Sequence, residues 1–233
     1  MAKSRGIRRA GRWLAWILGS LLVGSVLILL IFRFVPPPTS AFIVADRITH
    51  GGRDVRRHWV GLEQMSRWLP LAVVASEDQR FLQHWGLDLK AIATAVDDYR
   101  QGDNLRGAST LSQQTAKNLF LWNGRQFVRK LLEAGLTLEM EALWSKRRIM
   151  EVYLNFAEFG PGIYGVEAAS QAFFGVHASQ LSRWQAARLA AVLPNPKVLD
   201  AAHPTAYLWQ RVNWITGQMR QLGGTAYLQS IYR

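Results

Sequence analysis

The sequence predicts a mainly α-helical body carried on an N-terminal transmembrane helix. Three observations point there. Residues 13–32, Trp13 to Phe32, hold no charged side chain. The remaining chain repeats apolar residues at helical spacing, with Ser, Thr or Pro where helices should start. A strand-like segment is expected only in a short stretch near residue 43.

The uncharged run spans 20 residues, which at the α-helical rise covers roughly 30 Å, the hydrocarbon thickness of a bilayer. A cleaved signal peptide has a shorter apolar core followed by small residues. Here the run is long and leads into Phe34-Val35-Pro36-Pro37-Pro38, so an uncleaved anchor is expected. Lys3, Arg5, Arg8, Arg9 and Arg12 precede it and only Arg33 follows. That asymmetry should keep the N-terminus in the cytoplasm and send the body across the membrane, which in a Gram-negative cell means into the periplasm. The expected divisions are a basic tail at 1–12, the anchor at 13–33, a stiff Pro-rich spacer at 34–42 and one body at 43–233.

Charge narrows the partners. The chain of 233 residues carries a formal +12. The six basic residues flanking the anchor account for half of that. A basic body favours anionic partners, but outside the cytoplasm nucleic acid is not among them; phospholipid headgroups and phosphate-linked lipids are. Cysteine is absent, which excludes disulfides, thiolate catalysis and Cys-based zinc sites.

Along the body, Ile43-Val44-Ala45 reads as a short strand, with a turn at Gly51-Gly52. Trp59, Leu62, Met65, Trp68 and Leu69 form an amphipathic pattern that suits either a core helix or one lying on a membrane surface. A helix is expected over 87–99. Another runs from Thr110 to Phe120 with Ser109 as cap. A long helix covers about 126–144, with Phe127, Leu131, Leu138 and Ala142 on one stripe. Ser145 caps the next helix, whose apolar face is Ile149, Val152, Tyr153 and Phe156. Ser182-x-x-Gln185 is a capping box. Pro194 ends that helix, Pro204 starts the last one, and Gly223-Gly224 closes it.

Three clusters carry chemistry. Glu77 and Asp78 follow the apolar segment Leu71–Ala75. Low-dielectric surroundings raise a carboxyl pKa, which suits general acid or base work near neutrality. The plainer explanation is a helix cap or a pair with Arg80. Phe81, His84 and Gly86 read as an aromatic plug, a polar contact and a backbone turn. The second cluster, Gly107 to Gln114, reads as a loop entering a helix; Gln113 and Gln114 point to different sides, so one at most faces a cleft, and Lys117 lies a turn further on. In the third, Arg125, Arg129 and Glu133 fall at i, i+4 and i+8, with Lys130 beside them. This is either a salt-bridged exposed face or an anion site in which the Glu orients the cations.

Together these blocks resemble the peptidoglycan transglycosylases of glycosyltransferase family 51. Glu77, Asp78, Phe81, His84 and Gly86 match Glu-Asp-x-x-Phe-x-x-His-x-Gly. Gly107, Ser109, Thr110, Gln113, Gln114, Lys117 and Asn118 match Gly-x-Ser-Thr-x-x-Gln-Gln-x-x-Lys-Asn. Arg129, Lys130 and Glu133 match Arg-Lys-x-x-Glu. Lys146, Ile149, Met150, Glu151, Tyr153, Leu154 and Asn155 match a fourth motif, with Met150 for the usual Leu. Gly165, Ala168, Ala169 and Phe173-Phe174-Gly175 match the closing one. The resemblance covers about residues 60–200, and five motifs in order are far more specific than any one. No Ser-x-x-Lys or Lys-Thr-Gly of a penicillin-binding transpeptidase occurs, so the likeness is to the monofunctional branch.

The resemblance implies a lysozyme-like helical fold. It also implies polymerisation of lipid II into β-1,4 glycan, with undecaprenyl pyrophosphate released and the anomeric centre inverted. Glu77 is then the base and Glu133 the second catalytic carboxylate. Ser109, Thr110, Gln113, Gln114, Lys117, Arg125, Arg129 and Lys130 contact the substrate. Asp78, Phe81, His84, Gly86, Asn118, Tyr153 and Asn155 are structural. The expected partners are lipid II, the growing lipid-linked glycan, the membrane and proteins of cell-wall synthesis or division. Some family members use Mg2+ or Mn2+, but no metal-ligand pattern is visible in the sequence. Two rivals stand beside this reading: a lytic lysozyme-like hydrolase, and a non-catalytic membrane scaffold of the division machinery.

Overall fold

A computed structural model describes residues 2–51, 54–90, 93–94, 109–124 and 126–232. It divides at Pro38 into an N-terminal unit and a body. The N-terminal unit holds helix α1, Ala2–Phe34. Its stretch Ala15–Phe34 is long and apolar enough to cross a membrane.

The body is helical, and its order follows from its caps. Helix α2, Ala41–Thr49, replaces the expected strand near residue 43. The Ser40 hydroxyl accepts from the Ile43 N–H and starts a helix where β-branched residues alone would favour extension. Residues 59–69 do not form one amphipathic helix. A 3-10 turn at Leu62–Gln64 intervenes, and Leu62, Met65 and Leu69 are all buried. Helix α3, Trp68–Glu77, then begins with Pro70 in its first turn, where no N–H is needed. Every residue from Leu69 to Ala75 is buried. A short helix apolar on all sides belongs in a core, and α3 packs there against α8 (Arg183–Val192) and α9 (Ala206–Gln221).

A second layer holds α4, Leu111–Phe120, against α5, Phe127–Leu143, and α6, Lys146–Phe156. The cap of α4 is Thr110 rather than the expected Ser109. Thr110 and Gln113 form a capping box, and the Thr110 hydroxyl also donates to the Gly86 carbonyl at 2.5 Å. Ser145 caps α6 as its sequence indicates. Ile149, Val152, Tyr153 and Phe156 are buried on its inner face. Two short strands, β1 (Glu158–Gly160) and β2 (Ile163–Tyr164), form an antiparallel hairpin. Helix α7, Val166–Phe174, follows Gly165, whose φ of 79° and approach to the Asn155 carbonyl leave no room for a Cβ. The Ser182–Gln185 box starts α8 and Thr205 caps α9. Past Gly223 the chain adds a 3-10 segment, Gly224–Tyr232, that no sequence signal announces. The helix expected over 87–99 and the residue Gly107 lie largely or wholly outside the described residues.

Helix α5 settles what its sequence stripe left open. Its apolar stripe faces outward: Phe127 is 81% exposed, and Leu131, Leu138 and Ala142 are exposed as well. The inward stripe is Arg129, Glu133, Thr137, Met140 and Glu141. Such a helix is stable only because its buried charges answer one another or neighbours. Glu141, for instance, accepts from Ser112 and from Lys146.

Candidate active site

Glu77 is the last residue of the core helix α3. Its carboxylate therefore sits at the negative end of a helix and against apolar packing, both unfavourable to ionisation. Burial pushes its pKa up, and Asp78 next to it adds to the rise. A hydrogen bond from Gln114 and the fields of Arg211 and Lys117 oppose it. The Gln114 side-chain amide donates to Glu77 Oε2 at 3.1 Å, and the Tyr153 hydroxyl donates to Gln114 Oε1 at 3.2 Å.

Asp78 turns away from Glu77 because the chain leaves the helix there, at φ −159°. Its Oδ2 accepts from the Leu111 N–H at 2.9 Å, and His84 Nε2 lies 3.0 Å from Oδ1. Asp78 therefore ties the end of α3 to the start of α4 and satisfies a donor that α4 itself cannot. Phe81 is fully buried and edges onto His84 with centroids 6.5 Å apart. Gly86 adopts φ +78°, and a Cβ there would meet the Thr137 methyl at 2.8 Å. Thr110 and Gln113 are both buried and use their polar atoms in the cap. Of the two glutamines, Gln114 is the one that faces the cleft.

One turn beyond Gln114, Lys117 reaches toward the third cluster. Burial lowers its pKa, Glu133 and Glu77 raise it, and Arg129 and Lys130 lower it. Glu133 is 2% exposed; one of its oxygens meets Arg129 and the other Lys130. Arg129 Nε donates to the Gly124 carbonyl at 2.9 Å, and Lys130 Nζ donates to Ser109 Oγ at 3.2 Å. Lys117, Arg129 and Lys130 set against Glu133 leave a net positive charge. Arg125 lies outside the described residues. Because both Glu133 oxygens are taken by cations, the carboxylate does not fit a divalent ion as a ligand. Among the described residues no group of three or more His, Asp or Glu comes together to hold a metal.

A cavity of about 320 Å³ adjoins this constellation. Gln114, Lys117, Asn118 and Tyr153 line one side, and Asn195 and Lys197 line the other. Asn155, fully buried, stays out of it. Its amide bonds both backbone groups of Val60 and fastens the segment before α3 to α6. Sequence reasoning missed Arg211. It is a cation on α9, placed near Glu77 only by the packing of α9 on α3, and no local signal marks it.

The fold and site define a helical body that opposes a partly buried carboxylate to a cationic cluster, joined to an apolar helix of membrane-spanning length. The family model described as transglycosylase matches residues 44–220, and the chain belongs to that family. Two of its relatives carry the name biosynthetic peptidoglycan transglycosylase. The protein of Marinomonas sp. (strain MWYL1) is 56% identical over 198 residues, covering 85% of this chain and 86% of that one. The protein of Pseudomonas fluorescens (strain Pf0-1) is 51% identical over 229 residues, covering 97% and 94%.

Asp78→Ala should destabilise the body by about 2 kcal/mol, since it orphans the buried Leu111 N–H and the buried His84 ring. Thermal melting of the purified protein checks this; an unchanged melting temperature would show that the α3–α4 joint does not depend on Asp78.

Proposed function

We propose that the protein is a peptidoglycan glycosyltransferase that joins lipid II units into β-1,4 glycan without a covalent enzyme intermediate. The observation that carries this reading is the place of Lys117, which lines the cavity and feels two kinds of group at once: the Glu77 carboxylate on α3, whose pKa is raised, and the net cationic cluster of Arg129, Lys130 and Glu133 on α5.

In this reading the 4-hydroxyl of the acceptor sugar attacks the anomeric carbon of the lipid-linked donor. Glu77, ionised, takes the hydroxyl proton. The C–O bond to the pyrophosphate breaks as the new glycosidic bond forms on the opposite face, so the anomeric centre inverts. Negative charge grows on the departing pyrophosphate, and Lys117, Arg129 and Lys130 stabilise it where it develops. Arg125 belongs to the same clamp by its position in the sequence. Glu133 holds Arg129 and Lys130 at fixed positions, which removes the cost of gathering two like charges during the reaction. Thr110 and Gln113 act as scaffold, and Ser109 orients Lys130. A lytic hydrolase releases a neutral sugar and has no use for such a clamp; a scaffold has no use for a tuned carboxylate.

Two features support a membrane setting. The apolar stretch of α1 tethers the body to a bilayer, with the N-terminal basic tail in the cytoplasm and the body in the periplasm. The outward face of α5, where Phe127, Val128 and Leu131 are all well exposed, offers an apolar surface to lipid tails. Partners in cell-wall synthesis or division fit the same location.

Glu77→Gln should leave folding intact and abolish extension of lipid II, read as glycan length on gels; retained polymerisation removes Glu77 as the base. Glu133→Gln should cut turnover by at least 100-fold, because Arg129 and Lys130 lose the charge that holds them. Near-normal turnover would return Glu133 to a purely structural ion pair. The pH profile should be bell-shaped and narrow. The base works only when ionised, so the acidic limb sits above the ordinary carboxylate range. Lys117 works only when protonated, and its lowered pKa brings the alkaline limb below that of an ordinary lysine. Initial rates of polymerisation across pH 4–11, a range bracketing roughly the ordinary Glu and Lys values, check both limbs.

A further inference from the structure

We infer that Tyr153 is a positioning residue for the reaction, acting through Gln114 to hold the Glu77 carboxylate in a hydrogen bond that only one orientation of the glutamine amide can supply. The inference rests on the polymerase reading and describes a device inside the same site.

A primary amide has one donating and one accepting end of nearly the same shape. On geometry alone Gln114 fits either way round. Its two neighbours decide. Toward Glu77 Oε2, at 3.1 Å, an ionised carboxylate only accepts, so the amide nitrogen must face it. Toward Tyr153 Oη, at 3.2 Å, the amide oxygen then accepts the phenolic proton. Tyr153 is 2% exposed on α6, and Gln114 Oε1 is the acceptor that the structure shows for its hydroxyl. Turning the amide over would orphan that buried O–H and set a carbonyl oxygen against the carboxylate, and both changes are unfavourable.

The phenol stays a donor throughout the working range. Burial raises its pKa well above the usual tyrosine value, and the charges of Glu77 and Asp78 raise it further. The other charged groups that act on Glu77 are Asp78 at the end of α3, Lys117 on α4 and Arg211 on α9. None of them can set the amide. With Oε2 tied to Gln114, Oε1 is left for the acceptor hydroxyl. Without the Tyr153 hydroxyl the amide samples both orientations. The carboxylate then loses part of a donor that favours its charged form, so its pKa moves further up.

The test is a double-mutant cycle on the full-length protein in detergent, with kcat/KM for lipid II measured against pH. Tyr153→Phe should move the acidic limb upward by about half to one pH unit, lowering activity at acidic pH roughly three- to tenfold while activity recovers at higher pH. Gln114→Ala should move the same limb at least as far. The double variant should match Gln114→Ala. A uniform loss of activity with an unmoved limb would make Tyr153 a packing residue and overturn the inference. So would a Tyr153→Phe effect undiminished in the Gln114→Ala background, which would mean that the hydroxyl touches substrate directly. Should Tyr153→Phe melt far below the wild type, Gln114→Ala alone must still move the limb, and an unmoved limb overturns the inference. The Glu77 carboxyl carbon resonance, titrated without substrate, reads the same shifts. A wild type that does not extend lipid II while these shifts appear would sink the polymerase reading and leave the positioning role standing.

Discussion

The contact on which the site depends is the hydrogen bond from the Leu111 N–H to the Asp78 carboxylate. It joins the last turn of the core helix α3 to the first turn of α4. Everything that acts on Glu77 from α4 is positioned by that joint: Gln114 is one turn along, and Lys117 is the next. A carboxylate at a helix N-terminus is also favoured by the helix dipole. Asp78 is therefore stabilised by the same element whose start it fixes. Its neighbour Glu77 sits at the opposite kind of end, the C-terminus of α3, where the dipole disfavours charge. Two adjacent carboxylates thus meet opposite electrostatic surroundings. That difference leaves Asp78 tied into the joint and Glu77 with a raised pKa.

A second constraint is the inverted helix α5. Its buried stripe is polar and its exposed stripe apolar. Ordinary amphipathic logic would turn such a helix over. It stays because Arg129, Lys130 and Glu133 satisfy one another, and because Arg129 also reaches the Gly124 carbonyl. Burying a lone cation there would be prohibitive, whereas a cluster with one carboxylate is stable and still keeps excess positive charge. The same inversion turns Phe127, Val128 and Leu131 outward. One helix thereby presents a charged and polar stripe inward and an apolar stripe outward.

Coupling between the two halves of the site runs through Lys117. Its charge is raised in cost by burial and by Arg129 and Lys130, and lowered in cost by Glu77 and Glu133. In a cleft of low dielectric such mutual influence is stronger than in water. Glu77 and Lys117 therefore titrate in each other's field rather than as isolated groups.

The sequence by itself determined the anchor, the helical class and most helix limits, because these depend on local chemistry. An uncharged run of 20 residues needs no fold to be recognised, and Ser145, Ser182 and Pro194 act on their own turns. It also marked Glu77, Gln114, Lys117, Arg129, Lys130 and Glu133 as one set through their motifs. The tertiary structure decided the rest. Ile43–Ala45 became helix because Ser40 caps it, and Gln114 rather than Gln113 faces Glu77 because the cap uses Gln113. The apolar stripe of α5 faces out because its charges pair inside, and Arg211 reaches the site only through the packing of α9 on α3. Periodicity shows which residues share a face but not which face turns inward. Contacts with other segments settle that, such as Ser112 with Glu141 and Ser109 with Lys130, and they exist only once the chain has folded.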